Sequence, residues 1–130
     1  MTSKIWSVGL IAAFALAGAS LVGPLRAQQV AGGSVAIDGD DIGGIVRSSK
    51  GAEAGVWVIA ETRDLPTKFA RIVVTDDQGR YVLPDLPKAT YNVWVRGYGL
   101  VDSKPVRFAP GQRGNLTATL APSPRAAAQY

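Results

Sequence analysis

Beyond residue 40 the chain moves back and forth between short apolar runs and clusters of Gly, Pro, Asp and Ser. The runs are rich in β-branched and aromatic residues bounded by turn signals, and at 90–96 and 114–120 inward and outward positions alternate with the period of two of a half-buried strand. The pattern predicts strands over 42–47 (IGGIVR), 55–62 (GVWVIAET), 69–75 (FARIVVT), 79–83 (GRYVL), 90–96 (TYNVWVR), 105–108 and 114–120 (GNLTATL). "SSKGAEAG" and "APGQ" predict turns, and Gly97-Tyr98-Gly99 a bend. "RDLPTK" predicts a loop, because Pro66 has no N–H to give to a ladder. No internal repeat and no helical apolar stripe occurs in this part of the chain. Seven short strands separated by turns predict a small all-β sandwich over 41–121.

The flanks read differently. Lys4 precedes an uncharged apolar or small run at 5–22, then Gly23-Pro24 and a small residue, Ala27. That order predicts a signal peptide over 1–27, with a helical apolar stretch, cut near Ala27–Gln28 or at Ala19–Ser20. An uncleaved run of this length barely reaches the roughly 18–20 residues that span a bilayer, so any membrane contact would come only through an uncut signal. The expected location is periplasmic or secreted. Residues 28–40 are rich in Gly, Ala and Asp and predict a flexible lead-in; 122–130 (PSPRAAAQY) predict a stiff, extended linker or tail. Such a tail implies a downstream domain.

Charge and composition then narrow the chemistry. The formal net charge is +4, and loss of Lys4 and Arg26 leaves twelve cations against ten anions, a net +2. No basic run with interleaved aromatics occurs, so no nucleic-acid partner is expected. The chain has no Cys and no His. That removes disulfides, thiolate nucleophiles, the usual triad base and the common zinc ligands.

Carboxylates are what remain for catalysis or metal binding. "TDDQGRYVLPDLP" at 75–87 sets Asp76 beside Asp77, with Asp85 close by. Neighbouring strand residues face opposite ways, so the pair converges on a substrate only with difficulty. As a turn, the same letters make sense: Asp bonds nearby backbone N–H groups and Gly79 takes a positive φ. "DGDDIGG" at 38–44 fails as a calcium loop, since its fifth and twelfth positions hold Ile42 and Ser49. Among Glu53, Glu61, Asp64, Asp85 and Asp102 no spacing selects an acid pair. No catalytic residue, metal site or cofactor is expected. Asn115-Leu116-Thr117 matches a glycosylation acceptor, but the bacterial form of the export signal favours a plain strand residue.

Several spaced elements resemble the carboxypeptidase regulatory-like domain. They are Ile42-x-Gly44-x-Val46, Gly51, Ala54-Gly55-Val56-x-Val58, Thr75-Asp76-x-x-Gly79-x-Tyr81-x-Leu83, Leu86-Pro87, Tyr91-x-Val93-x-Val95 and Gly97-Tyr98-Gly99. The resemblance covers about residues 40–120. It implies a seven-stranded prealbumin-like (transthyretin-like) β-sandwich, grouped with carbohydrate-binding-like folds. Such modules are usually non-catalytic and sit beside other domains in exported proteins. Ala89-Thr90 departs from the glycine usual before the tyrosine of the fifth strand. The histidines of the peptidase domain, and of the hydrolase branch of the fold, have no counterpart.

Alternation then picks out a candidate contact face. If Val56 and Val58 point inward, Trp57 points out; if Tyr91, Val93 and Val95 point inward, Trp94 and Arg96 point out. The resemblance makes the second and fifth strands neighbours, which would join Trp57 and Trp94 in one patch with Arg96 and Tyr98 at its rim. The expected partner is a downstream domain or an exported protein. The alternatives are a glycan stacked on the aromatics, or a cross-strand pair with no ligand.

Overall fold

The computed structural model describes residues 34–129. The signal expected at 1–27 lies outside the described residues. The chain is an all-β sandwich. Six strands have three or more residues: β1 (Ile42–Ser48), β3 (Trp57–Thr62), β4 (Phe69–Val74), β5 (Arg80–Leu83), β6 (Tyr91–Arg96) and β8 (Val106–Phe108). Four two-residue strands complete it: β2 (Gly51–Ala52), β7 (Leu100–Val101), β9 (Leu116–Thr117) and β10 (Thr119–Leu120).

One sheet runs β4-β3-β6-β8, antiparallel throughout. β7 and β10 form a separate two-stranded sheet, and the second main sheet is built on β1. It pairs with β5 through Ile42↔Leu83 to Ile45↔Arg80, with β2 at its far end, and in parallel with β9. The inward side chains of the two sheets meet in one core. Ile42, Val46, Val58, Leu83, Tyr91 and Val93 are completely buried there. The alternation that predicted the strands is the one that fills this core: Val58 and Ala60 from β3, and Tyr91, Val93 and Val95 from β6, all point inward.

Two tyrosines tie the loops to the sheets. Tyr81 is buried beside Gly44 and donates its hydroxyl to the Gly114 carbonyl. Burial pushes its phenol well above the ordinary range. Tyr91 donates to the Pro87 carbonyl, four residues back, at 2.6 Å. Gly44 is required by close approach: a Cβ there would lie 2.1 Å from the Gly114 carbonyl oxygen. Thr75, also buried, donates to Glu53 O at 2.6 Å and accepts from Val56 N–H at 3.1 Å. These bonds fasten the β2–β3 connection to the end of β4.

Three sequence expectations change. The run at 114–120 is not one strand. Leu116–Thr117 follows β1, then the chain switches at buried Ala118, and Thr119–Leu120 pairs with β7. Alternation cannot report such a switch of partner, because it does not alter which side chains are apolar. The turn over 48–55 contains β2, a tight hairpin in which Ser48 pairs with Gly51. The tail is not extended through 124–127. Ser123 caps a single helical turn, α1 (Pro124–Ala127), its Oγ accepting from Ala126 N–H at 3.1 Å. Ser-Pro supplies both a cap and a pre-set first helical residue, and the alanines that follow favour the turn.

The described part of the lead-in is anchored to the body. Arg113 donates to the Val35 carbonyl, and Leu86 N–H donates to Asp40 O at 2.8 Å. Ile37 lies over Gly43, where a Cβ would come within 2.5 Å of its Cγ2.

Candidate functional site

The outer face of the β4-β3-β6-β8 sheet carries the expected aromatics. Register places Val74, Trp57 and Arg96 side by side across β4, β3 and β6, and Ile72, Ile59 and Trp94 in the next row. β3 and β6 are neighbours, as the expected patch requires. Trp57 is 50% exposed, Ile72 53% and Val74 56%. Ile59, at the centre of this band, is buried although it points outward. Its two cross-strand neighbours are both large and apolar.

Tyr98 is entirely exposed at the bend after β6. Trp57, Arg96 and Tyr98 line one wall of an open cleft of about 800 Å³. The other wall is Ala121 to Pro124 with Ala127 and Ala128, from the tail and α1. The structure thus brings three of the four expected residues to one cleft. Trp94 stands apart from it, half-buried, with the Arg96 guanidinium 4.9 Å from its ring centroid. Ser123-Pro124 and the alanines after it carry a signal for the helical turn that the reading of the tail as extended passed over, but nothing in the sequence places that turn at the cleft.

Arg96 is held as well as exposed. Its Nε and Nη2 donate to the two oxygens of Asp102, at 2.9 and 2.5 Å. The hydrogen bonds from Arg96 hold the Asp102 carboxyl below its usual range, and those to Asp102 hold the guanidinium above its own. A two-pronged ion pair stacked on an indole fixes the guanidinium plane, so the rim of the cleft is preorganised.

The carboxylates do other work. Asp76 Oδ1 accepts from the Gln78 and Arg80 N–H groups, each at 2.9 Å, and Oδ2 accepts from Arg80 Nε at 2.7 Å. Gly79 takes φ +73°, as the turn requires. The Arg80 backbone N–H, followed by the Arg80 side chain, holds the Asp76 carboxyl below its ordinary range against partial desolvation. The first aspartate is therefore a turn residue. Asn115 Oδ1 accepts from Ile45 N–H at 3.1 Å, a structural use of the glycosylation-type asparagine.

One acidic cluster has no counterpart among the sequence expectations. Carboxylate oxygens of Asp40, Asp41 and Asp85 lie within 4.8 Å of one another. Asp41 accepts from Asp38 N–H at 2.9 Å and from Asp85 N–H at 3.2 Å, which gives it a loop-fastening role. Forty-four residues separate Asp41 from Asp85, and no sequence spacing signals that they meet.

No family model matches the sequence, and no curated protein matches it. Among solved structures, a streptococcal ancillary pilin is similar, with a TM-score of 0.52 at 15% identity. The likeness covers 67% of this chain and 31% of the pilin chain, so it reaches about a third of that protein. At this identity it shows the fold. Fold and geometry together define an all-β sandwich domain with an apolar outer face and an aromatic-lined cleft.

Proposed function

We propose that the protein is an exported, non-catalytic β-sandwich module of the carboxypeptidase regulatory-like, prealbumin-like type. Its outer face docks to a neighbouring domain or an exported partner protein. One observation carries this reading: Trp57, Ile72 and Val74 stand about half exposed on one rigid sheet face, with Tyr98 fully exposed at its margin. A contiguous apolar patch of this kind marks a contact surface. Export rests on the signal pattern at 1–27, and gives a periplasmic or secreted location.

Several residues of the family resemblance support the module type, because they have tasks in the fold. Gly44 admits the 114 loop, Gly79 makes the turn, Tyr81 bonds Gly114, and Leu86, Tyr91, Val93 and Val95 fill the core. The likeness to an ancillary pilin agrees with a structural role in an exported assembly.

A photo-crosslinking side chain in place of Tyr98, expressed in the source cells, tests the docking. The expected result is one discrete protein adduct that disappears when Trp57→Ala is added. No adduct, or an adduct indifferent to Trp57→Ala, contradicts it. A second reading, glycan binding, is favoured by the pairing of Trp57 and Tyr98 along one cleft wall. It requires tryptophan fluorescence to shift with an added glycan and the shift to vanish in Trp57→Ala.

A further inference from the structure

The two edges of the outer sheet are unlike. β8 is short, follows Pro105 and carries Arg107 on its outer face, all features that blunt an edge. β4 is twice as long and has no proline; like β8 it carries one charge, Arg71, here on the inner side of the strand. Thr75 N–H donates to Val56 O, in the β3 direction. Alternation along β4 then turns the N–H and C=O groups of Ala70, Ile72 and Val74 away from β3, toward the open edge. Among the described residues none of these groups has a hydrogen-bond partner. The side chains of the same three residues are exposed on the outer face.

We propose that the protein self-associates through β4. Two copies pair antiparallel about a twofold axis at Ile72, joining two four-stranded sheets into one. In this register Ile72 lies opposite its own copy, and Val74 lies opposite Ala70 of the second copy. Each of these pairs has its backbone groups facing the edge, so each exchanges two hydrogen bonds.

The self-complementarity of β4 favours a second copy as the occupant, and charge and geometry then select the register. Shifting the axis to Arg71 sets two cations directly opposite, which destabilises a pair. Shifting it to Val73 loses one of the three bonded pairs. The axis at Ile72 keeps all three, places Arg71 opposite a neutral Val73 and moves the two arginines from directly opposite to the wider diagonal spacing of about 7–8 Å. It also extends an existing row. Trp94, Ile59 and Ile72 already stand in line across β6, β3 and β4, and the second copy continues that line with its own three. An isologous pairing closes on itself, so the edge is covered without forming a fibre.

The chain has no cysteine, so single-cysteine variants report register cleanly. At the twofold, Cα atoms of a bonded antiparallel pair stand about 5.5 Å apart, within disulfide reach. The purified protein is expected to double its sedimenting mass as its concentration rises. Ile72→Cys should oxidise to a covalent dimer, while Val74→Cys, equally exposed but offset from the axis, should not. Ile72→Pro removes an edge N–H that β3 does not use and should abolish the dimer. Ile72→Lys, which keeps the backbone and sets two cations at the axis, should do the same. A protein monomeric at every concentration, Ile72→Cys that fails to crosslink, or Val74→Cys that crosslinks as well as Ile72→Cys would each overturn the proposal. So would dimerisation that persists in folded Ile72→Pro and Ile72→Lys. A monomeric result leaves the docking of the Trp57 face standing, since that face is read from side chains and not from the edge.

Discussion

The two sheets of the sandwich bury their inner faces in the same core but treat their outer faces differently. On the β1 sheet the lead-in lays Ile37 over Gly43, and the 113–118 segment closes the edge beside β1. That sheet is fastened by side chains bonded to distant backbone, such as Tyr81 to Gly114 and Asn115 to Ile45. The β4-β3-β6-β8 sheet has no such cover among the described residues, yet Trp57, Ile72 and Val74 stand on its outer face. The proposed docking rests on these exposed apolar side chains.

Substitutions should therefore separate stability from contact along this division. The largest loss is expected at Gly44→Ala, whose Cβ would collide with backbone at Gly114; about 3 kcal/mol is expected in denaturant unfolding, the upper range for overpacking. Tyr81→Phe should follow. It leaves the buried Gly114 carbonyl without its donor, at about 1–3 kcal/mol in the same assay. Its phenol is held above its ordinary range, so the neutral hydroxyl stabilises the fold below the unfolded value near pH 10 and that stabilisation is lost as pH climbs past it. Wild-type protein should lose stability in alkali, and Tyr81→Phe should lose less.

On the other sheet the same measurement should barely move. Trp57→Ala is expected to cost less than about 1 kcal/mol, the scale of a cross-strand pair, while abolishing the Tyr98 crosslink. A large loss of stability there would erase the distinction between the sheets. The smallest effect belongs to the Arg96–Asp102 pair. Asp102 is held low in the folded chain, so its contribution is full above its ordinary value of 3.8 and fades as pH falls below it. Thermal melts of Asp102→Asn should match the wild type more closely at pH 3 than at pH 7. The pair is partly exposed, so the gap at pH 7 is a small one.

Sequence pattern is most legible where one face of a strand is buried and the other is not. β4 and β6 alternate in burial along their length, and β3 does so except at Ile59; alternation turns Trp57 and Arg96 outward, and the pairing of β3 with β6 sets them on one face. β1 is harder, because Gly43 is buried on the outer side by Ile37, a contact that depends on the lead-in. The change of partner at Ala118 and the meeting of Asp41 with Asp85 are tertiary events that leave no periodic trace. Of the cleft, the aromatic wall is readable and the wall made by α1 is not. Trp94 is separated from the cleft by register: it lies one row away, opposite Ile59, while Trp57 and Arg96 share the row at the cleft.

The central claim is that the outer face of the β4-β3-β6-β8 sheet is covered in the protein's native setting. A chain without cysteine allows a direct measurement: maleimide labelling of Tyr98→Cys and Asp77→Cys, in purified protein and in the intact cell envelope. Both positions are exposed in the isolated fold, one beside the aromatic cleft and one in the Asp76–Gly79 turn. The account predicts that both label in purified protein and that only Tyr98→Cys is protected in the envelope. Equal labelling of the two positions in the envelope would contradict it.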